Sequence, residues 1–228
     1  MAPQTLLCGR IASPEAPLRC AVLLSGSGSG MEALVRAQRT GHLPHVTALV
    51  ISNRSDAYGL ERARQLDVHR VVVAHVDDAG QRLSREEHEH RLLAELEAHA
   101  IELIVLAGYM RLLSPVMLSR WSGRIVNIHP SLLPNFPGAH AHRDVLASKT
   151  QLSGCTVHMV DEGMDTGAVL AQATVPVFPD DTESSLSARV KIEEHRLYPR
   201  VLSWIATGRV TITPNGVHLD GATPPRVC

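Results

Sequence analysis

Five short aliphatic runs constrain this chain more than any other feature: Cys20–Leu24 (CAVLL), Val46–Ile51 (VTALVI), Arg70–Ala74 (RVVVA), Glu102–Ala107 (ELIVLA) and Arg124–Ile128 (RIVNI). Between them lie helical patterns at Met31–Arg39 and Gly59–Gln65, and a segment ending at Ala98 that opens with Ser84 and Glu87, a capping box. A short segment near Pro115–Trp121 precedes the fifth run. Strands that read as continuous Val, Ile and Leu are buried on both faces, and strands alternating with helices pair in parallel. The expected fold class is therefore α/β, a mostly parallel sheet with helices on both faces. After residue 150 the pattern changes. Gln151–Val160 alternates and Val169–Val177 carries Pro176, which predicts antiparallel strands added at the sheet edge in the C-terminal part. Thr182 caps a long helix to about Ala206, and Val210–Thr213 with Val217–Leu219, split by Pro214-Asn215-Gly216, reads as a terminal hairpin.

The 228 residues suffice for one large domain or two small ones. No repeat or low-complexity linker interrupts them, so the reading is a loose extension over residues 1–18 and a single domain over 19–228. Aromatic residues make up only 3% against 44% hydrophobic, so the core is aliphatic. A net charge of −1 without a basic block argues against nucleic acid or an anionic membrane as partner, and leaves room for a local anion pocket. No apolar run reaches spanning length, and Pro14, Glu15 and Pro17 break any signal-peptide core. Cys8, Cys20, Cys155 and Cys228 form no CxxC pair, which points to a reducing, cytoplasmic setting.

Ligands of open α/β sheets bind beyond the carboxyl ends of the strands, so the loops after Leu24, Ile51, Ala107 and Ile128 matter most. The first is LLSGSGSGMEAL. Gly26, Gly28 and Gly30 let backbone N–H groups approach a ligand, the following helix N-terminus adds partial positive charge, and Ser27 and Ser29 add donors. This is a phosphate cradle, or else a plain Gly/Ser turn. It is not a nucleoside-triphosphate P-loop, because no Lys-Ser/Thr pair follows. Its G-x-G-x-G spacing, with no acidic residue closing the second strand, fits a dinucleotide site poorly. No serine has glycine at both −2 and +2, so it is not a nucleophile elbow.

The fourth loop is VNIHPSLLPNFPG. Asn127 and His129 lie two apart at a strand end and share a side. An Asn amide can donate to a developing oxyanion and a His can move a proton near neutral pH. A carboxylate would hold the ring and favour its charged form; the segment VDEGMDTG offers Asp165. The alternative is a capped strand end with a hydrogen-bonded core histidine. A Ser131–His129 nucleophile pair is a poor rival, since residues two apart in a Pro-rich turn rarely align, and direct attack by a substrate nucleophile is favoured. Pro130, Pro134 and Pro137 restrict φ and fix the turn after His129; the isomer of Leu133–Pro134 is left open. His88, His90 and His99 read as solvated residues of a charged helix. His140 and His142 are spaced poorly for a helical metal pair and HExxH is absent, so no metal is expected.

In order, LLSGSGSG, ISNRSDAYGLERA, LIVLAGYMRLLSP, VNIHPSLLPNFPG, GCTVHMVDEGMDTG and KIEEHRLYP resemble the glycinamide ribonucleotide formyltransferase family of purine biosynthesis, over roughly Cys20 to Leu219. The resemblance implies a Rossmann-like sheet, with 10-formyltetrahydrofolate as co-substrate and 5'-phosphoribosylglycinamide as acceptor. It places Gly28, Ser29 and Gly30 at the nucleotide phosphate; the family usually has Asn where Gly30 stands, so an amide contact is lost. It places Met110, Arg111, Leu112 and Leu113 in the folate pocket, with Arg85 on the folate side. Asp161, Glu162, Gly163 and Met164, running to Asp165, match the loop that closes over the pterin, and Glu194 a carboxylate near the substrate's glycinamide and ribose. Asn127, His129 and Asp165 match the catalytic trio. The amine would attack the formyl carbon directly through a tetrahedral intermediate, in a monomer or homodimer without metal.

Formyltetrahydrofolate deformylase resembles the same region but carries an N-terminal regulatory domain, for which about 19 residues before the first strand are too few. Methionyl-tRNA formyltransferase needs a C-terminal nucleic-acid-binding domain, and nothing follows Cys228. A non-catalytic nucleotide-binding regulator would not need the Asn127, His129 and Asp165 set.

Overall fold

The computed structural model describes residues 8–77, 79–213, 216–220 and 226–227. Residues 1–7 of the expected extension, Pro214 and Asn215 of the expected hairpin turn, and Cys228 lie outside the described residues. The chain falls into two compact units, Ala12–Val126 and the residues from Asn127 onward together with the N-terminal segment to Ile11.

The Ala12–Val126 unit holds β1 (Leu18–Leu24), α1 (Ser29–Gly41), β2 (His45–Ser52), α2 (Tyr58–Gln65), β3 (Arg70–Val72), α3 (Arg85–Ala98), β4 (Leu103–Leu106) and α4 (Pro115–Arg120). Its strands stand in the order β4-β1-β2-β3, every pair parallel, with a register shift between Cys20 and Ala21. Leu23, Leu24, Leu49, Ile51, Leu103 and Ile104 are fully buried, as expected for strands covered on both faces. Each buried Leu or Ile removes apolar area worth about 2 kcal/mol from water, so the core is mainly aliphatic, with Trp121 as a buried aromatic in this unit. The Ser84 box is formed: Ser84 Oγ accepts from Glu87 N and Glu87 Oε2 from Ser84 N, at 3.1 and 2.8 Å. His88 departs from expectation. It is 1% exposed, in the buried stripe of α3 with Glu89, Leu92, Leu93 and Leu96, and its Nε2 lies 2.9 Å from the Val73 carbonyl. The helical period sets the face, and it carries His88 inward despite its charged neighbours.

The division between units falls within β5 (Ile125–His129). The second unit continues with α5 (Ala141–Ser148), β6 (Leu152–Met159), β7 (Val169–Pro176), α6 (Glu183–Ala206), β8 (Val210–Thr213), β9 (Gly216–Leu219) and β10 (Arg226–Val227). Its strand order is β10-β7-β6-β5. β6 and β7 are antiparallel, as expected, but β10 pairs in parallel with β7 and takes the edge the pair was expected to hold. The hairpin β8–β9 forms a separate antiparallel sheet. The α6 cap matches expectation: Thr182 Oγ1 accepts from Ser185 N at 3.2 Å. Among the described residues, no helix is long and apolar enough to cross a membrane.

Candidate active site

In the first unit, three loops at the carboxyl ends of β1, β2 and β4 meet at one hydroxyl. Ser25 Oγ donates to Asn53 Oδ1 at 2.6 Å and accepts from Met110 N at 2.9 Å, while Ser25 N donates to Gly108 O at 3.0 Å. The glycine loop then turns through Gly28, the α1 N-cap, at φ 71 with no side-chain cap bond. The leading α1 amides therefore have no cap side chain, the arrangement a phosphate cradle requires. Arg62 braces the loop from α2, its Nε donating to the Ser27 carbonyl at 2.9 Å and its guanidinium pairing with Glu32. Gly30 has space around it: a Cβ there would meet nothing closer than the Ala107 Cβ at 4.0 Å.

Met110 and Leu112 stand 70% and 55% exposed, an unusual investment of apolar side chains in solvent; Arg111 and Leu113 are partly covered. The segment is anchored from below by Ser114, whose N and Oγ both donate to the buried Glu89 carboxylate. Arg85 is exposed on the first turn of α3.

In the second unit, Asp165 stands between two histidines. Its Oδ2 lies 3.3 Å from His129 Nδ1 and its Oδ1 lies 3.6 Å from His158 Nε2. Oδ2 also accepts from Gly138 N at 2.8 Å. His129 Nε2 donates to the Phe136 carbonyl at 2.8 Å, and Asn127 Nδ2 lies 3.1 Å from His158 Nε2. Asn127, His129 and Asp165, expected together from the sequence, thus converge, and His158 joins them.

The turn after His129 is held by a buried network. Thr156 Oγ1 donates to the Ser131 carbonyl at 2.6 Å and accepts from Leu133 N at 3.0 Å. Gln172 Nε2 donates to the Leu133 carbonyl at 2.8 Å. Ser131 Oγ donates to the Asn135 and Phe136 carbonyls, so it is occupied as a brace and does not pair with His129 as a nucleophile. The Leu133–Pro134 peptide is cis.

The loop bearing Asp165 is braced internally: Asp161 Oδ1 accepts from Gly163 N at 3.1 Å and Thr166 Oγ1 at 2.7 Å. Asp161, Glu162, Gly163 and Met164 are exposed, whereas Asp165 turns inward with φ 56. On α6, burial pushes the Glu194 carboxyl up to about 7, with Lys191 drawing it down. His142 is also held below its ordinary value, by burial first and then by Lys191. Among the described residues no group of three or more His, Cys, Asp or Glu is placed to hold a metal ion.

His158 carried no assignment in the sequence reading. The available signal was the polar residues Thr156 and His158 alternating with Cys155, Val157 and Met159 along a strand buried over seven of its eight residues.

The amide and imidazole at the end of β5 and the carboxylate from the loop after β6 are side chains that can stabilise an oxyanion and move a proton, the needs of acyl-group chemistry. Residues 18–202 match the family model described as formyl transferase, and the chain belongs to that family. It is 43% identical over 206 residues to the phosphoribosylglycinamide formyltransferase of Escherichia coli (strain K12), covering 90% of this chain and 94% of that protein. It is 38% identical over 198 residues to the trifunctional purine biosynthetic protein adenosine-3 of Homo sapiens, covering 87% of this chain and 19% of that protein. Among solved structures, glycinamide ribonucleotide transformylase 1 from Symbiobacterium toebii superposes with a TM-score of 0.83 at 43% identity, covering 89% of this chain and 94% of that one.

Proposed function

We propose that this chain transfers the formyl group of 10-formyltetrahydrofolate to the amine of 5'-phosphoribosylglycinamide, giving the N-formyl product in purine biosynthesis. The observation that carries the reading is the Asp165 carboxylate 3.3 Å from His129 Nδ1 while His129 Nε2 donates to a carbonyl. With an acceptor at each ring nitrogen, the imidazolium is the form that satisfies both. The charged ring and the Asn127 amide stabilise the oxyanion that forms when the amine nitrogen adds to the formyl carbon. The carbon–N10 bond then breaks, and the proton released by the amine ends on N10 of the departing folate, with Asp165 supporting the relay.

Gly28, Ser29 and Gly30 bind the phosphate and Glu194 the glycinamide and ribose. Arg85, Met110, Arg111, Leu112 and Leu113 bind the folate, and Asp161, Glu162, Gly163 and Met164 cover its pterin. The exposed apolar side chains of Met110, Leu112 and Met164 support that role. Residues 19–228 serve this one activity, in the cytoplasm, as a monomer or homodimer, with no metal and no nucleic-acid partner.

The purified chain is expected to release tetrahydrofolate from 10-formyltetrahydrofolate only when 5'-phosphoribosylglycinamide is present. Release in buffer alone would identify a deformylase, and no release under either condition would leave a regulator.

A further inference from the structure

We infer that His158 is a positioning residue, a neutral imidazole that fixes the orientation of the Asn127 amide, so that the two histidines on Asp165 hold opposite protonation states. The inference deepens the proposed function and rests on the reading of Asn127 as an oxyanion donor.

The argument begins with what each neighbour can do. His158 Nδ1 lies 2.8 Å from the Met159 carbonyl. A carbonyl only accepts, so Nδ1 carries a proton. The ring is 2% exposed, and a second proton would place a cation in a buried site. Burial therefore holds its pKa below the ordinary value, against the opposing pull of the Met159 carbonyl and Asp165. With its one proton on Nδ1, Nε2 presents a lone pair. The groups facing it are Asn127 Nδ2 at 3.1 Å and Asp165 Oδ1 at 3.6 Å. A carboxylate cannot donate, so the Asn127 amide must, and its nitrogen is turned toward His158. One N–H of Asn127 is thereby committed and the other remains for the substrate.

His129 differs in one respect: both its nitrogens face acceptors, the Phe136 carbonyl and Asp165. It is the ring built to carry charge. The titratable groups facing His158 are Asp165, Asp161 and His129. A proton added to Nε2 would draw Asp165 Oδ1 toward His158 and repel the Asn127 Nδ2 donor. The amide would rotate to present oxygen, and the oxyanion would lose its donor. Two charged rings would also compete for one carboxylate.

The test uses the full chain. Nitrogen NMR of 15N-histidine-labelled protein is expected to show His158 neutral with its proton on Nδ1 near neutral pH. A doubly protonated His158, or one with its proton on Nε2, would overturn the inference; this readout needs no variant. In turnover assays, His158→Leu is expected to lower kcat roughly 100-fold, the scale of losing one oxyanion donor, with KM for both substrates within about threefold. His158→Gln, which can return an acceptor near the Nε2 position, should recover most of the loss. His158→Leu combined with Asn127→Ala should be little worse than Asn127→Ala alone, because one residue acts through the other. Losses that multiply would overturn the inference while leaving the proposed function standing. An Asn127→Ala chain with unchanged kcat would instead sink the catalytic reading on which the inference rests.

Discussion

Gly28 and Gly59 meet backbone against backbone. A Cβ on Gly28 would stand 2.4 Å from the Gly59 Cα, and one on Gly59 would stand 2.7 Å from Leu24 Cδ2. Gly59 N also donates to the Gly26 carbonyl at 3.0 Å, so the start of α2 is seated directly on the glycine loop. In Gly59→Ala the new Cβ must displace the buried Leu24 methyls and press on the Gly28 Cα at 3.1 Å. We expect a loss of about 1–3 kcal/mol, typical of overpacking, measured by urea unfolding. Steady-state kinetics should show a raised KM for the nucleotide and little change for the folate. A variant with wild-type nucleotide KM would remove the glycine loop from substrate binding.

The space beside Gly30 permits the opposite experiment. Its Cβ would have no neighbour closer than 4.0 Å, so Gly30→Asn should fold with stability changed by no more than about 0.5 kcal/mol. Calorimetry should show tighter nucleotide binding, because the amide adds a donor beside the backbone N–H groups. Unchanged affinity would mean that those N–H groups alone hold the phosphate.

Asp165→Asn is an isosteric test of charge at the trio. Asn tolerates the left-handed φ of 56 and keeps an oxygen for the Gly138 amide. Turnover is expected to fall by about 10²–10⁴, the usual worth of acid–base assistance, with an altered pH profile and nearly unchanged KM values. Kinetics identical to the wild type would exclude Asp165 from the chemistry.

Glu194 makes stability depend on pH. Its carboxyl is pushed up from 4.5 to about 7 in the fold. Between these values the folded chain holds a proton that the unfolded chain has released. Stability therefore declines as pH rises through this window and levels off above it. The contribution is at most about 3 kcal/mol, reduced by the water its half-buried side chain still meets. Urea midpoints at about pH 5 and pH 8 should differ less in Glu194→Gln than in the wild type; an equal difference would count against a raised Glu194.

What the sequence revealed and withheld follows from where the information sits. The helices starting at Ser84 and Thr182 were legible because each cap is a local hydrogen-bond pattern. α5 was not: its N-cap His140 makes no side-chain cap bond, and Lys149 takes the left-handed C-cap position usually held by glycine. β10 has two residues, too few to carry a period. His88 has charged neighbours in sequence that suggest a solvated face, whereas the helical phase of α3 carries it into the buried stripe. Asn127 and His129 were legible as a pair two apart on one strand. His158 reaches Asn127 from β6, and a contact between residues 31 apart has no local signature.

The hydroxyl of Ser25 ties the loops after β1, β2 and β4 with bonds to Asn53 and Met110. Its consequence is evolutionary as well as structural. A change in the loop proposed for phosphate would be felt at once in the segment proposed for folate, through a single oxygen atom. Lineages that retune one specificity must therefore either preserve that serine or rebuild both of its hydroxyl bonds together, and loop grafts between relatives should succeed as a set where single exchanges fail.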